Sequence, residues 1–134
     1  MERFEIIAKT DNLPQVLAFI DEKIEEAGGD MRIQLQIDIA VEEIFVNIAS
    51  YAYEGKEGMA EILFELNGDC AEITFIDSGV PYDPLAKEDP DITLSAEQRQ
   101  IGGLGIFMVK KSMDDMKYEY KDNKNCLTLF KKIK

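Results

Sequence analysis

Two polar side chains stand four residues apart in the stretch EEIFVN, residues 42–47. If this segment is helical, Glu43 and Asn47 share one helix face, because side chains at positions i and i+4 lie one above the other. A carboxylate can serve as a general base, and an amide oxygen can help to hold Mg²⁺ beside phosphate. A solvated stripe on an amphipathic helix explains the same two residues, so this stretch alone leaves both interpretations open.

A second candidate is the stretch DSGVPYDP, residues 77–84. Period-two alternation places Asp77 on the same strand face as Ile73 and Phe75, at the end of a row that faces the core. A carboxylate there needs hydrogen-bond donors, which an exocyclic amine such as that of adenine would supply. Gly79 would let a flat ring approach the backbone. An ordinary turn after a strand has the same composition, so this alternative also stays open.

The third candidate is GGLGIFMVKK, residues 102–111, in which Gly102, Gly103 and Gly105 precede an apolar helical run. A helix that begins there presents unpaired N–H groups and a positive dipole end, which favour phosphate. A tight loop before a core helix is the competing explanation. The stretch is not a P-loop, because no Lys-Ser or Lys-Thr follows Gly105, and a dinucleotide fingerprint belongs to the first strand–helix turn of a βαβ unit.

Composition excludes several classes of function. A chain of 134 residues is expected to be one domain over 1–134, and its net charge of −12 argues against nucleic-acid binding. Because it has no histidine and only two cysteines, it cannot use histidine in catalysis and is not expected to bind zinc. No signal peptide or membrane span is expected, so we predict a cytoplasmic protein with Cys70 and Cys126 reduced inside the core.

Periodicity predicts the elements that must position these residues. Their order is a strand, two helices, a hairpin, a long polar segment, a helix and a final hairpin, which favours an α+β sandwich with helices on one face of a mixed β-sheet. Asp11 and Asn12 are candidate caps for the first helix. The predicted ranges are strands at 2–10, 59–66, 70–77, 117–121 and 126–132, helices at 13–27, 31–53 and 102–115, and turns at 67–68 and 122–125.

The three candidates occur in an informative order. A Glu-x-x-x-Asn pair on a long helix, Asp-x-Gly-x-Pro after a strand, and a proline-bearing loop ending in Gly-x-Gly before a helix resemble the GHKL ATPase superfamily over nearly the whole chain. The stretches AVEEIFVNIASYAYEG, DSGVPYDPL and GGLGIFMVKKSMD look most like the stand-alone anti-sigma-factor serine/threonine kinases of bacteria. The resemblance implies a Bergerat ATP-binding fold, in one histidine-kinase-like ATPase domain, with an ATP lid at about 80–101.

The same resemblance implies a role for each motif residue. Glu43 would be the base that activates a partner's serine, and Asn47 would bind the nucleotide through Mg²⁺. Asp77 would accept a hydrogen bond from the adenine amino group, with Gly79 beside the base. The remaining cofactor-binding residues would contact the phosphates of ATP; these are Gly102, Gly103 and Gly105.

The sequence departs from the family pattern at two places. Relatives commonly have His-Ala-Tyr after the asparagine, whereas the histidine position here is Tyr51, which we interpret as packing. Relatives also place an arginine next to the lid glycines, where it touches the γ-phosphate. Here Ile101 holds the nearest position and Arg99, the candidate catalytic arginine, lies two residues earlier. The displaced position of this arginine is expected to affect phosphoryl transfer more than nucleotide binding.

The resemblance predicts an ATP- and Mg²⁺-dependent protein serine/threonine kinase. Its expected partners are a sigma factor and a small anti-anti-sigma antagonist, and relatives are often dimers, so a homodimer stays open. The alternative is a nucleotide-gated sequestering module that binds ATP and a sigma factor without transferring phosphate. A complete histidine kinase is excluded, because the chain has no phosphoacceptor histidine.

Overall fold

The computed structural model describes residues 1–86 and 103–133, and the side chains of residues 86 and 103–105 are not described. Within these ranges, three helices pack on one five-stranded sheet, which confirms the predicted α+β sandwich. The strands are β1 (Glu2–Ile7), β2 (Met59–Asn67), β3 (Cys70–Asp77), β4 (Asp115–Lys121) and β5 (Lys124–Lys132). The helices are α1 (Leu13–Glu26), α2 (Met31–Asn47) and α3 (Gly103–Ser112).

The sheet is antiparallel between all of its neighbouring strands, so the prediction of a mixed sheet is wrong. The spatial order is β1-β2-β3-β5-β4, and each adjacent pair is antiparallel. The reason is the place of β5: the chain between β3 and β4 includes α3, and β5 then returns between these two strands. Strands β3 and β4 run in the same direction, but β5 separates them and pairs antiparallel with both.

One face of the sheet carries the core. Alternate residues of β3, namely Ala71, Ile73 and Phe75, are buried together with Asp77, as the period-two pattern predicts. They belong to one buried cluster with the apolar stripe of α2, which consists of Ile37, Ala40, Val41, Ile44 and Phe45. Because the core-facing row of β3 ends at Asp77, packing of the sheet against α2 places this carboxylate at the edge of the core.

The two cysteines lie outside the core, which contradicts the prediction for them. Cys70 and Cys126 alternate with the core-facing residues of β3 and β5, so their side chains lie on the opposite face of the sheet and are half-buried. Both thiols are free. Burial is the main cause of the raised pKa of each thiol.

The predicted side-chain cap of α1 is not formed, and α2 is the helix that has one. The side chain of Asn12 does not cap α1, because its Nδ2 donates to the carbonyl of Ile7, 2.8 Å away. Asp30 caps α2 instead: its Oδ1 accepts from the backbone N of Ile33 at 2.9 Å. At the other end of α2, one π-helical turn over Ile48–Ala52 continues the chain from Asn47.

The turns of both hairpins differ from the prediction: the first is shifted by one residue, and the second is two residues shorter. The turn between β2 and β3 is Gly68-Asp69 rather than Asn67-Gly68, since Asn67 pairs with Cys70. Asp122 and Asn123, with φ of 55° and 63°, form the second turn alone. The residue that follows Lys124 therefore belongs to β5, which matters for the site described below. In the part of the chain that the structure describes, no helix is long and apolar enough to cross a membrane.

A candidate nucleotide site between α2 and the sheet

A cavity of about 320 Å³ opens between the C-terminal end of α2 and the core face of the sheet. Its size and its mostly apolar walls are typical of small-molecule sites, in which a few polar groups fix the ligand's orientation. Asn47 and Asp77, two of the predicted site residues, both line it. The described lining residues are Ile44, Asn47, Ile48, Tyr51, Ala52, Phe75, Asp77, Val80, Pro81, Tyr82, Pro84, Ile106, Tyr118, Asn125 and Leu127.

The C-terminal end of α2 supplies one wall of the cavity. Ile44, Asn47, Ile48 and Tyr51 recur at helical spacing, and the π-helical turn after Asn47 keeps this face directed at the cavity. Tyr51 lines the cavity and is 55% exposed, so the interpretation of Tyr51 as a packing residue is wrong. A phenol ring therefore borders the cavity.

Asp77 ends the buried row of β3 and is only 6% exposed. Its Oδ1 accepts two hydrogen bonds, from the backbone N of Gly79 at 2.9 Å and from Nδ2 of Asn125 at 3.0 Å. The protein itself therefore supplies two hydrogen-bond donors to this carboxylate, whereas the sequence analysis had expected a ligand to supply them. Because both bonds end on Oδ1, Oδ2 is the carboxylate oxygen available to a donor in the cavity.

Gly79 is required by the protein's own packing. A Cβ atom at this position would lie 2.2 Å from the carbonyl oxygen of Ala52, in the π-helical turn. The adjacent Val80 donates its N–H to the same oxygen at 2.9 Å. The end of the α2 segment and the loop after β3 are therefore held together by backbone contacts, which fix Asp77 relative to Asn47.

Asn125 is a site residue that the sequence reasoning missed, because it fell within the predicted turn at 122–125. It pairs with Asp77 in the register of β3 and β5 and is 6% exposed. One signal could have identified it: Asn125 alternates with the core residues Leu127 and Leu129, so it continues a buried row as a polar residue.

Tyr53 joins the site to the first residue of β2. Its hydroxyl accepts from the backbone N of Ser78 at 2.9 Å and donates to the carbonyl of Met59. Burial is the main cause of the raised pKa of this phenol. Tyr53 thereby anchors the residue between Asp77 and Gly79.

Glu43 lies one helical turn before Asn47 and is half-buried, outside the set of described residues that line the cavity. Burial, with a smaller contribution from the negative charge of Glu42, raises the pKa of Glu43. A carboxylate with a raised pKa is a stronger base than one in water. The helix thus brings Glu43 near the cavity, on the side of Asn47 that lies toward the N-terminus of α2.

The glycine motif falls only partly within the described residues. Helix α3 begins at Gly103 and includes Gly105, so both lie in its first turn, and Ile106 of the same turn lines the cavity. The N-terminal end of α3 therefore borders the ligand space, where free N–H groups favour an anion. Gly102, Arg99 and the part of the predicted lid beyond residue 86 lie outside the described residues.

The donor chemistry fits a nucleotide with its magnesium ion. Within residues 1–86 and 103–133, no cluster of three His, Cys, Asp or Glu side chains could hold a metal alone. Mg²⁺ commonly takes only one or two protein oxygens together with water and substrate phosphates. The amide oxygen of Asn47 is a suitable ligand of this kind, and Asp77 together with the apolar walls fits a purine that carries an amino group.

Comparisons with known proteins agree with this geometry. Residues 6–131 match the family described as histidine kinase-like ATPase domain. The serine-protein kinase RsbW of Bacillus cereus strain Q1 is 33% identical over 127 residues, covering 87% of this chain and 78% of that protein. RsbW of Listeria monocytogenes serovar 1/2a is 31% identical over 99 residues, covering 70% of this chain and 63% of the relative. This alignment thus spans less than two thirds of the Listeria protein.

Solved structures support the fold. The RsbU and RsbW domains of Rv1364c from Mycobacterium tuberculosis give a TM-score of 0.63 at 17% identity, over 99% of this chain and 33% of that one. The catalytic domain of the histidine kinase ThkA gives 0.57 at 16% identity, over 99% and 98%. From the family match and the identity to the Bacillus protein, we conclude that this chain belongs to the histidine kinase-like ATPase domain family, the GHKL ATPases, and is similar within it to the RsbW serine-protein kinases.

Proposed function

We propose that this protein is an ATP-dependent serine/threonine kinase that phosphorylates a small anti-anti-sigma protein and also binds a sigma factor. The names of its relatives support the serine-kinase class. The observation that carries the proposal is the meeting of Asn47 and Asp77 in one apolar cavity beside the N-terminal end of α3. A regulator of this kind acts on the transcription machinery, so we place it in the cytoplasm.

Nucleotide binding would divide among three parts of the site. Oδ2 of Asp77 would accept from the adenine amino group, with the backbone at Gly79 beside the base. The N-terminal end of α3 would contact the phosphates through Gly102, Gly103 and Gly105, where backbone N–H groups can approach closely. Asn47 would hold Mg²⁺, which neutralises charge on the phosphates when bound.

Phosphoryl transfer would use Glu43. Its carboxylate would take the proton of the partner's serine hydroxyl as the serine oxygen bonds to the γ-phosphorus and the bond to the ADP oxygen breaks. The raised pKa of Glu43 suits this role, because the proton must move to a base of adequate strength. Arg99 would stabilise the transferring phosphoryl group if it reaches the γ-phosphate from its displaced position.

Calorimetry with Mg²⁺-ATP tests the binding part of the proposal. The variant Asp77→Asn should bind ATP roughly 10- to 100-fold more weakly than wild type. The reason is geometric. Gly79 and Asn125 both donate to Oδ1, so in the variant the amide oxygen would keep this position and the amide nitrogen would replace Oδ2. An N–H donor would then face the amino group of adenine, which is also a donor. Unchanged affinity would remove Asp77 from the nucleotide site.

Transfer of the γ-phosphoryl group tests the catalytic part. We expect wild type to move label from γ-labelled ATP onto a serine of an anti-anti-sigma protein encoded beside it. ATP binding combined with sigma-factor binding, but without transfer to any antagonist offered, would favour the nucleotide-gated sequestering module. The displaced Arg99 is the sequence feature that makes this comparison informative.

A further inference from the structure

The side-chain amide of Asn125 makes four hydrogen bonds within the protein. Its Nδ2 donates to Oδ1 of Asp77 at 3.0 Å and to the carbonyl of Val80 at 2.9 Å. Its Oδ1 accepts from the backbone N of Tyr82 at 3.0 Å and from the hydroxyl of Tyr118. A primary amide has two N–H donors and one oxygen with two lone pairs, so all four of its hydrogen-bonding positions are occupied. Asn125 borders the cavity but has no position left for a ligand.

The orientation of this amide follows from its partners. A backbone N–H can only donate, so the atom that faces Tyr82 must be the amide oxygen. A backbone carbonyl can only accept, so the atom that faces Val80 must be the amide nitrogen. These two contacts fix the amide in one orientation, and in that orientation its N–H points at Asp77.

We infer that Asn125 is a positioning residue that makes the site selective for a purine with a 6-amino group, by holding Asp77 as a fixed hydrogen-bond acceptor. This inference rests on the proposed ATP site. With Oδ1 held by Asn125 and Gly79, the plane of the carboxylate is set and Oδ2 remains for the ligand. A 6-amino group donates to this oxygen. A 6-oxo group, as in inosine triphosphate, would place one acceptor against another.

Removal of the amide should weaken this selection in a specific way. Without the N–H of Asn125, the buried Asp77 carboxylate keeps only the bond from Gly79, and its plane is no longer fixed. A carboxylate that can turn is able to move away from the 6-oxo group and to accept instead from the adjacent N1–H of the hypoxanthine ring, so the variant can bind the base that wild type rejects.

The test is the ratio of Mg²⁺-ATP to Mg²⁺-inosine triphosphate affinity, measured by calorimetry. Wild type should prefer ATP by roughly 10- to 100-fold, as expected for one hydrogen bond to a charged group. In Asn125→Leu, which removes the amide at similar volume, the preference should fall to about threefold or less. Asn125→Asp retains the acceptor for Tyr82 and Tyr118 but places two carboxyl groups together. Because ionised carboxylates cannot donate to each other, Asp77 is no longer held in one plane, and the preference for ATP should fall in this variant too.

A matched control exists at the turn of the β2–β3 hairpin, at the opposite end of β3 from Asp77. Nδ2 of Asn67 donates to the Glu72 carboxylate at 2.8 Å on the exposed surface. Asn67→Leu removes the same kind of amide–carboxylate bond away from the cavity, and it should leave the ratio at the wild-type value.

Equal losses of both nucleotides in the Asn125 variants, with the ratio preserved, would overturn the inference and leave the ATP site standing. Wild type that binds neither nucleotide would instead refute the proposed function itself. If neither Asn125 variant folds, the side-chain amide protons of Asn125 in wild type decide the matter by NMR. Protection from solvent exchange in the ATP complex supports the clamp on Asp77, and rapid exchange there would overturn it.

Discussion

The carboxyl groups of Asp21 in α1 and Asp38 in α2 lie together at the contact between these two helices. Two ionised carboxylates held this close repel each other, whereas a proton on Asp38 would remove its charge and let it donate to Asp21. The Oδ1 atom of each residue is buried and has no hydrogen-bond partner among the described residues. Burial, reinforced by the neighbouring carboxyl group of Asp21, raises the pKa of Asp38 to about 8.

This pair predicts that stability falls as pH rises. The folded pKa of Asp38 lies above the value of about 3.9 expected for an unfolded chain, so the folded state binds more protons between these two values. The free energy of unfolding should therefore decrease from about pH 4 to about pH 8. Asp38→Asn mimics the protonated form and should remove this slope. At about pH 8.5 the variant should be more stable than wild type by about 1 to 2 kcal/mol, since partial exposure screens the repulsion.

Denaturant unfolding at about pH 5 and about pH 8.5 checks this prediction. At the lower pH the two proteins should have similar stability, because Asp38 is already neutral in wild type. Asp69→Asn, in the exposed turn between β2 and β3, provides the control and should have little effect at either pH. An equal difference between Asp38→Asn and wild type at both pH values would show that the pair does not share a proton.

The sequence predicted those parts of the site that lie within single elements. Glu43 and Asn47 share a helix face by their spacing alone, and Asp77 ends a row of alternating core residues, so local periodicity was sufficient for both. It was also sufficient for the apolar stripe of α2 and for the hairpin of β2 and β3.

The parts that depend on contacts between elements were not predictable in this way. Asn125 comes beside Asp77 only through the register of β3 with β5, which are separated by more than one third of the chain. Gly79 was singled out for the approach of a ligand, whereas its close neighbour in the structure is the carbonyl of Ala52, and no local pattern shows that approach. The prediction of a mixed sheet was wrong for the same reason, since no local sequence pattern shows that β5 lies between β3 and β4.

The contact between Gly79 and Ala52 predicts a strong effect of a single methyl group. Gly79→Ala should lower the free energy of unfolding by about 2 to 3 kcal/mol, because the new Cβ would lie 2.2 Å from a backbone oxygen that cannot turn away without breaking its bond to Val80. Gly55→Ala is the comparison. It has no neighbour within 4 Å but a φ of +84°, so it should cost only about 1 to 2 kcal/mol.

A double variant separates backbone from side-chain crowding at this contact. Ala52→Gly removes the Cβ of Ala52, which lies 2.6 Å from the ideal Cβ at Gly79, but it leaves the carbonyl in place. Combined with Gly79→Ala, it should not restore stability. Full recovery in the double variant would mean that the side chain of Ala52, rather than its carbonyl, requires glycine at position 79.

Asn47 should matter for the metal-dependent part of nucleotide binding. Asn47→Ala removes the amide oxygen proposed to hold Mg²⁺, while the fold should remain intact because Asn47 is only half-buried at the end of α2. The measurement is ATP affinity in the presence of Mg²⁺ and in the presence of EDTA. A loss restricted to the Mg²⁺ condition supports the role, whereas equal losses in both conditions would show that Asn47 serves the nucleotide in another way.

The decisive variant for catalysis is Glu43→Gln. An amide retains the size and hydrogen-bonding reach of the carboxylate but cannot take the serine proton, so ATP and partner binding should persist while transfer falls by about 10²- to 10⁴-fold. Glu42→Gln is the matched control, because Glu42 is the exposed neighbour about 100° around the helix, and it should transfer nearly as fast as wild type. It should also lower the apparent pKa of transfer slightly, since the charge of Glu42 contributes to the raised pKa of Glu43. If Glu42→Gln is the inactive variant instead, the wrong face of α2 has been assigned to the base, and if both variants transfer normally, the base is a different group.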